Sequence, residues 1–186
     1  MPATKLFVIS GPSGVGKDTI INHLKSRDNN WHFVVTATTR SIRDGEKDGK
    51  DYLFLTPDQF QAMLDRDQFI ENAEVYDNRY GVPVSQIDIA KYSNRHAILK
   101  IDVQGALTIK AKFDDAILIF VQPQSIDQLI SRLTLRNSEN KTELESRISK
   151  ASYEMDQIEH FDYMVTNNDN EILESVEMID KIISSH

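Results

Sequence analysis

The sequence predicts an α/β fold in which a parallel sheet is covered on both faces by helices. Three observations lead there. The apolar run Leu6-Phe7-Val8-Ile9 passes through a glycine-rich turn into an amphipathic helix. Two later runs, Ala97-Ile98-Leu99-Lys100-Ile101-Asp102 and Ala116-Ile117-Leu118-Ile119-Phe120-Val121, have the composition of buried parallel strands. Helical stripes alternate with these runs, and in such sheets ligands gather at the carboxyl ends of the strands.

The turn at one such end is Ser10-Gly11-Pro12-Ser13-Gly14-Val15-Gly16-Lys17-Asp18-Thr19. Gly11, Gly14 and Gly16 let the backbone turn tightly and aim successive N–H groups inward. Lys17 then supplies a cation to β/γ-phosphates at a helix N-terminus, and Ile20, Ile21 and Leu24 give that helix a buried side. The G-x-x-x-x-G-K spacing between strand and helix predicts phosphate binding. Asp18 is irregular, because the motif ordinarily holds Mg²⁺ with a Ser or Thr hydroxyl there. The substitution bears on the metal and leaves phosphate binding in place.

The first strand spans 5–10 and the first helix about 17–27, ended by Asp28-Asn29-Asn30. Trp31 to Thr36 resumes an extended pattern. The polar stretch from Thr38 to Tyr52 is too hydrophilic for the core and reads, in isolation, as a solvated loop. Tyr52-Leu53-Phe54-Leu55 and Phe69 to Val75 alternate as strands. Between them Thr56-Pro57-Asp58-Gln59 is a capping-box start, with Phe60, Met63 and Leu64 on one face. These pieces predict an inserted subdomain of mixed strands and helix at 35–92. Arg79-Tyr80-Gly81-Val82-Pro83 marks a turn near its end, and Ser85 caps a short helix.

A short helix over Ala106 to Lys112 joins the two buried strands. Ser125-Ile126-Asp127-Gln128 starts another helix with the stripe Ile126, Leu129, Ile130 and Leu133. Polar residues at 136–141 break the pattern before a long helix begins near Thr142, with Leu144, Ile148, Ala151, Met155 and Ile158 on its buried side. Asp162 to Thr166 forms the last strand, residues 167–170 turn, and Ile172, Leu173, Val176, Ile179, Ile182 and Ile183 close with an amphipathic helix.

With 186 residues the chain supports one domain with a substantial core. Its 40% hydrophobic and 27% charged residues are those of a soluble protein, and no apolar run approaches the roughly 18 residues of a membrane span. The first strand begins so early that no signal or transit peptide is expected, and cytoplasmic residence follows by default. The absence of cysteine excludes disulfides, thiolate metal sites and cysteine nucleophiles. A net charge of −8 argues against broad nucleic-acid or membrane binding, so an anionic substrate requires a local basic pocket. The five histidines lack metal-ligand spacing.

Arg132 and Arg136 are four residues apart and share a helix face, while Arg147 comes from the opposing helix. Together they can close over a transferring phosphoryl group; alternatively they pair at the surface with Glu139, Glu143 or Glu145. Arg40 and Arg43 suit bidentate contact with a substrate phosphate, and Tyr52 and Tyr80 offer hydroxyls nearby or ordinary packing. Glu71 and Asp102 are flanked by apolar residues, and burial would demand partners such as the N–H donors of a guanine edge. Otherwise they are partly exposed carboxylates at strand ends.

These motifs together resemble guanylate kinase over nearly the whole length. Besides the phosphate loop there is Thr-Thr-Arg-x-x-Arg-x-Gly-Glu-x-x-Gly-x-Asp-Tyr-x-Phe at 38–54, then Phe69-Ile70-Glu71, Tyr80-Gly81, Ile101-Asp102-Val103-Gln104-Gly105 and Arg132-Leu133-x-x-Arg136. The resemblance implies a P-loop NTPase three-layer core at 1–34, 93–125 and 150–186, a GMP-binding subdomain at 35–92 and a helical lid at 126–149. It implies ATP-dependent, Mg²⁺-assisted phosphorylation of GMP or dGMP in purine nucleotide metabolism. Under it Gly11 through Thr19, namely Gly11, Pro12, Ser13, Gly14, Val15, Gly16, Lys17, Asp18 and Thr19, bind ATP, with Asn167 near its base. Arg40, Arg43, Tyr52 and Tyr80 hold the GMP phosphate, and Thr36, Glu71 and Asp102 read guanine. Lys17, Arg132, Arg136 and Arg147 neutralise the moving phosphoryl group, with Arg40 beside the acceptor phosphate.

Two departures from the resemblance coincide. Asp18 replaces the loop hydroxyl, and Lys100 replaces the acidic residue the family usually places two before Asp102. A lysine in a buried strand and a carboxylate in a phosphate cradle each need an opposite charge, so Asp18 and Lys100 are expected to pair. Mg²⁺ is then held mainly by ATP oxygens and water; in the alternative, Asp18 ligates the metal and Lys100 reaches solvent. Val82 and Pro83 stand where the family usually offers a further hydroxyl to guanine, which puts more weight on Thr36, Glu71 and Asp102. Asn168 replaces a common Asp near the ATP base. Two other readings compete: a ribose 1,5-bisphosphate kinase, which Asp18 favours, and a non-catalytic guanylate-kinase-like module that binds protein partners.

Overall fold

A computed structural model describes residues 4–27, 30–75, 77–135, 141–168 and 171–186. β1 (Leu6–Ser10) leads through the glycine-rich loop into α1 (Lys17–Lys25), and β2 (His32–Phe33), β3 (Ala37–Thr38) and β4 (Leu53–Phe54) are two-residue strands. α2 (Pro57–Leu64) precedes a hairpin of β5 (Phe69–Val75) and β6 (Asn78–Pro83). Next come α3 (Val84–Tyr92), β7 (Ala97–Lys100), α4 (Val103–Lys112) and β8 (Ile117–Pro123). α5 (Ile126–Leu135), α6 (Lys141–Asp156), a 3₁₀ turn at Ile158–His160, β9 (Tyr163–Asn167) and α7 (Ile172–Ser184) follow. The chain divides into two compact units, one of Ala3–Leu6 with Asn30–Leu99 and the other of Phe7–Asn29 with Lys100–His186.

In the first unit β4, β3, β6 and β5 form a mixed sheet in that order, parallel between β4 and β3 and antiparallel elsewhere. Its core is a stack of Phe60 on Phe69, with ring centroids 4.5 Å apart, packed with Ala37, Leu53, Leu55 and Met63. Gly81 is required by this stack, because a Cβ there would lie 2.7 Å from a ring carbon of Phe69. α2 starts as expected: Gln59 N–H donates to Thr56 Oγ1 (3.2 Å), and Thr56 N–H donates to Gln59 Oε1 (2.8 Å). In the same unit β2 runs parallel to β7, Ala97 N–H donates to Lys5 O, and Ile87, Ala90 and Ala97 pack with Leu6, Val34 and Ile70.

In the second unit β1, β8 and β9 run parallel in that order, with Val8 opposite Leu118 and Phe120 opposite Met164. β1 and β8 are buried as near-continuous apolar runs, the pattern of strands covered on both sides, whereas β9 alternates, with Val165 and Asn167 buried and Met164 and Thr166 exposed. α1 and α7 pack together, Ile20 and Leu24 being buried on the one and Val176, Ile179 and Ile183 on the other, and Arg27 pairs with Asp180 at 2.7 Å. β1 ends where the loop begins, so the sheet delivers the loop to the carboxyl edge of its strands. Among the described residues no helix is long and apolar enough to cross a membrane.

The structure corrects four expectations of local structure. The segment 79–83 is part of strand β6, and the reversal lies just before it, where Asp77 has φ 60°. Gly81 and Pro83 look like turn residues in the sequence, yet one clears an aromatic ring and the other ends the strand. Ser85 does not cap α3, which begins at Val84 with Pro83 in the capping position. Trp31 to Thr36 is not one strand: pairing is confined to His32–Phe33, and β3 begins at Ala37. α4 starts at Val103 rather than Ala106, because Asp102 caps it by accepting from Gly105 N–H at 3.0 Å.

Replacing Phe60 by Ala removes the centre of the first unit's core. The Phe60→Ala change is expected to lower unfolding free energy by about 3–5 kcal/mol. The measurement is a shift of the urea midpoint at unchanged slope.

Candidate functional site

The glycine-rich loop lies against β8 so closely that only glycine fits its first turn. Gly11 has φ 140°, and a Cβ there would sit 2.1 Å from Val121 O. The loop ends at Gly16, the N-cap of α1, which brings no side chain to the helix's first N–H groups. A helix start left in this way is suited to an anion. Inward N–H groups leave carbonyls turned outward, and side chains of the same unit take those up. Lys17 Nζ donates to Gly11 O and to Pro12 O, the latter at 3.0 Å. Val15 O accepts from Asn167 Nδ2 at 2.7 Å and from Arg132 at 3.2 Å.

Sequence spacing suggested that arginines from two helices converge, and the structure brings two of them to this loop. Arg132 on α5 also donates to Asn167 O at 3.3 Å, and Arg147 on α6 donates to Ser13 Oγ at 3.1 Å. Arg136 lies outside the described residues. Asn167 is buried at the end of β9 and accepts from Ser175 Oγ, so its amide braces the loop from below. Burial pushes the Lys17 ammonium down to about 8, against the opposing pull of Glu154 and then Asp18.

Asp18 and Lys100 form an ion pair, with the Asp18 carboxylate largely exposed and Lys100 mostly covered. The ammonium at the end of β7 therefore meets the carboxylate of α1's first turn. Thr19 is exposed on the same turn. Among the described residues no cluster of three His, Asp or Glu is placed to hold a metal ion. A Mg²⁺ that takes its ligands mainly from phosphate oxygens and water needs only one or two carboxylates, and Asp18, the one carboxylate of the loop, is engaged by Lys100.

Glu154 and Lys150 belong to this site and were missed in the sequence. Glu154, buried on α6, accepts from Ser13 N–H at 3.3 Å, and burial holds its carboxyl above the usual range despite Lys17 and Lys150 nearby. Lys150 lies 3.9 Å from Glu154 and donates to Asp102 Oδ2 at 3.3 Å. Arg147, Lys150 and Glu154 share the 3–4 spacing of one helix face, the signal that could have found them.

The first unit carries a second cluster. Arg40 grips Glu46 with two hydrogen bonds (2.7 and 3.0 Å), and its guanidinium lies 5.4 Å from the Tyr52 ring centroid. Hydrogen bonding to Glu46 raises the Arg40 guanidinium and lowers the Glu46 carboxyl. Tyr52 and Tyr80 rings stand 6.2 Å apart at a steep angle. Arg43 is exposed, its backbone N–H given to Glu46 at 2.8 Å. Thr36 and Glu71 are both buried, Glu71 on β5 opposite Val82. Glu46 stood in the 38–54 motif without a role, which its grip on Arg40 supplies.

A family model described as Guanylate kinase matches residues 3–186. Guanylate kinase 2, chloroplastic/mitochondrial, of Oryza sativa subsp. japonica is 38% identical over 185 residues, which are 99% of this chain; the chain spans 65% of that protein's length. A guanylate kinase of Halalkalibacterium halodurans is 37% identical over 180 residues, covering 97% of this chain and 87% of that protein. The crystal structure of guanylate kinase from Anaplasma phagocytophilum superposes with a TM-score of 0.78 at 28% identity, covering all of this chain and 87% of that one.

Two expectations follow from the loop's charges. A carboxyl whose folded pKa is raised costs stability above its unfolded value of 4.5, and the cost vanishes below it. Glu154→Gln should therefore melt higher than the parent at neutral pH, the gap closing as pH falls from the raised folded value down to 4.5. Asp18→Ser and Lys100→Asp should each weaken binding of an ATP analogue, and the double variant should recover about 0.5 kcal/mol or more relative to their sum. Additive losses in that cycle would mean the pair does not act as a unit.

Proposed function

This chain belongs to the guanylate kinase family, and we infer from that premise that it transfers the terminal phosphoryl group of ATP to GMP or dGMP. The reading is carried by one observation: the full-length likeness comes with the charged groups of the loop intact, Lys17, Arg132 and Arg147 all lying on it. A module that had given up phosphoryl transfer would have no need of them.

The reaction requires no general base, because the acceptor oxygen belongs to an already ionised phosphate. That oxygen bonds to the terminal phosphorus as the bond from phosphorus to the bridging oxygen breaks, and ADP leaves. The protein's part is positioning and charge stabilisation. We assign the donor phosphates to the loop over residues 11–19, through its backbone N–H groups other than at Pro12, and to Lys17, with Arg132, Arg136 and Arg147 meeting the charge that spreads over the transferred group. Asn167 supports the loop beneath the donor's base. Mg²⁺ would neutralise the donor oxygens further, held mainly by ATP oxygens and water because Asp18 is engaged by Lys100.

The acceptor phosphate is assigned to Arg40, Arg43, Tyr52 and Tyr80. Glu46 holds the Arg40 guanidinium flat and charged for it. Guanine is assigned to Thr36, Glu71 and Asp102, whose carboxylates match its paired N–H donors. Residues 35–92 act as the acceptor subdomain and 126–149 as a lid whose closure keeps water from the donor phosphate. A cytoplasmic site of action suits a chain without cysteine.

GMP, dGMP, AMP and ribose 1,5-bisphosphate offered in parallel with ATP should give turnover with the guanine nucleotides. Turnover confined to the sugar phosphate would overturn the acceptor, and ATP binding without transfer to any of them would indicate a binding module. Lys17→Met or Arg132→Met should lower kcat by about 10²–10³-fold with little change in KM for GMP.

A further inference from the structure

On one face of α6, Lys150 stands between two carboxylates that serve different ends of the proposed reaction. One is Asp102, whose Oδ1 is fixed by Gly105 N–H at 3.0 Å and whose Oδ2 receives Lys150 Nζ at 3.3 Å. The other is Glu154, 3.9 Å from the same ammonium and itself hydrogen-bonded to the N–H of Ser13 in the phosphate loop. A charge chain thus runs from Asp102 through Lys150 and Glu154 to Ser13, entirely within the second unit.

We propose that Lys150 is a positioning residue that couples the donor site to the acceptor site, by holding Asp102 Oδ2 until donor phosphates draw the ammonium toward the loop. This rests on the reading of Asp102 as a guanine contact. Before the donor binds, Lys150 competes with a guanine N–H for Oδ2. Donor phosphates bring several negative charges to the loop that Glu154 touches and Arg147 already contacts, and the Lys150 ammonium, next along the same face of α6, lowers its energy by turning to that end. Asp102 Oδ2 is then released to accept from the base. The lysine head is about one-third exposed on an unbranched stem, so the displacement needs no change in the helix. Because coupling is reciprocal, GMP must also tighten the donor.

The test is titration calorimetry of GMP into the parent chain, Lys150→Gln, Lys150→Arg and Glu154→Gln, each with and without a non-hydrolysable ATP analogue. In the parent the analogue should tighten GMP by about fivefold or more. In Lys150→Gln that ratio should fall to near one, with GMP alone binding tighter than to the parent because its competitor is gone. Lys150→Arg should keep the ratio, and Glu154→Gln should reduce it. A parent ratio of one, or a ratio in Lys150→Gln equal to the parent's, would overturn the coupling role while leaving the acceptor assignment standing. Failure of GMP to bind the parent under any condition would overturn that assignment and this inference together.

Discussion

The structure depends on how the phosphate loop settles its carbonyl oxygens. Turning N–H groups inward for phosphate leaves the carbonyls outside, where an unpaired one costs about as much as a lost hydrogen bond. Lys17 covers the first two, and Asn167 with Arg132 covers Val15. Those three come from α1, β9 and α5, so the second unit's order of strands and helices is in part the means of bringing them there. The buried Asn167 shows the constraint most plainly: it sits at the strand end, its Oδ1 held by Ser175 and its amide donating to the Val15 carbonyl of the loop.

The same groups answer the electrostatic problem of an acidic chain that has to hold polyanions. With a net charge of −8 the long-range field is of the wrong sign, and capture depends on cations placed within a few ångströms. They are placed with counterions of their own. Glu46 accompanies Arg40, Asp18 accompanies Lys100, and Glu154 accompanies Lys150, so each cation is oriented before any ligand is present. Carboxylates near a phosphate site thus serve to aim positive charge, and their repulsion of the ligand is the cost of that order.

Much of this was legible in the sequence because its signals are local. The glycine spacing and Lys17, the apolar runs of β1, β7 and β8 and the capping box at Thr56 depend on residues within a few positions of each other, and Arg132 and Arg147 on two consecutive helices. The Asp18 and Lys100 pair was legible across 82 residues only because each breaks a pattern in a way that calls for the other. What stayed hidden depends on packing between distant segments. Gly81 reads as a turn residue until Phe69 crosses it, and Glu154 reads as a surface charge until Ser13 is seen above it. Asp102 showed its acidity in the sequence, though not that it also begins a helix.

The Asp18 and Lys100 pair also bears on how such a chain could have come about. Starting from the hydroxyl and carboxylate that the family resemblance puts at these positions, the two substitutions are not equivalent as first steps. Acquiring Asp18 first would set two carboxylates beside the phosphates, against the single ammonium of Lys17. Acquiring Lys100 first would set a cation there, a state that polyanionic ligands tolerate and that makes a later carboxylate at 18 favourable. The ion pair therefore ties the two positions together: changing either alone removes the partner that faces the other's charge beside the phosphates, so positions 18 and 100 work as one feature of the loop.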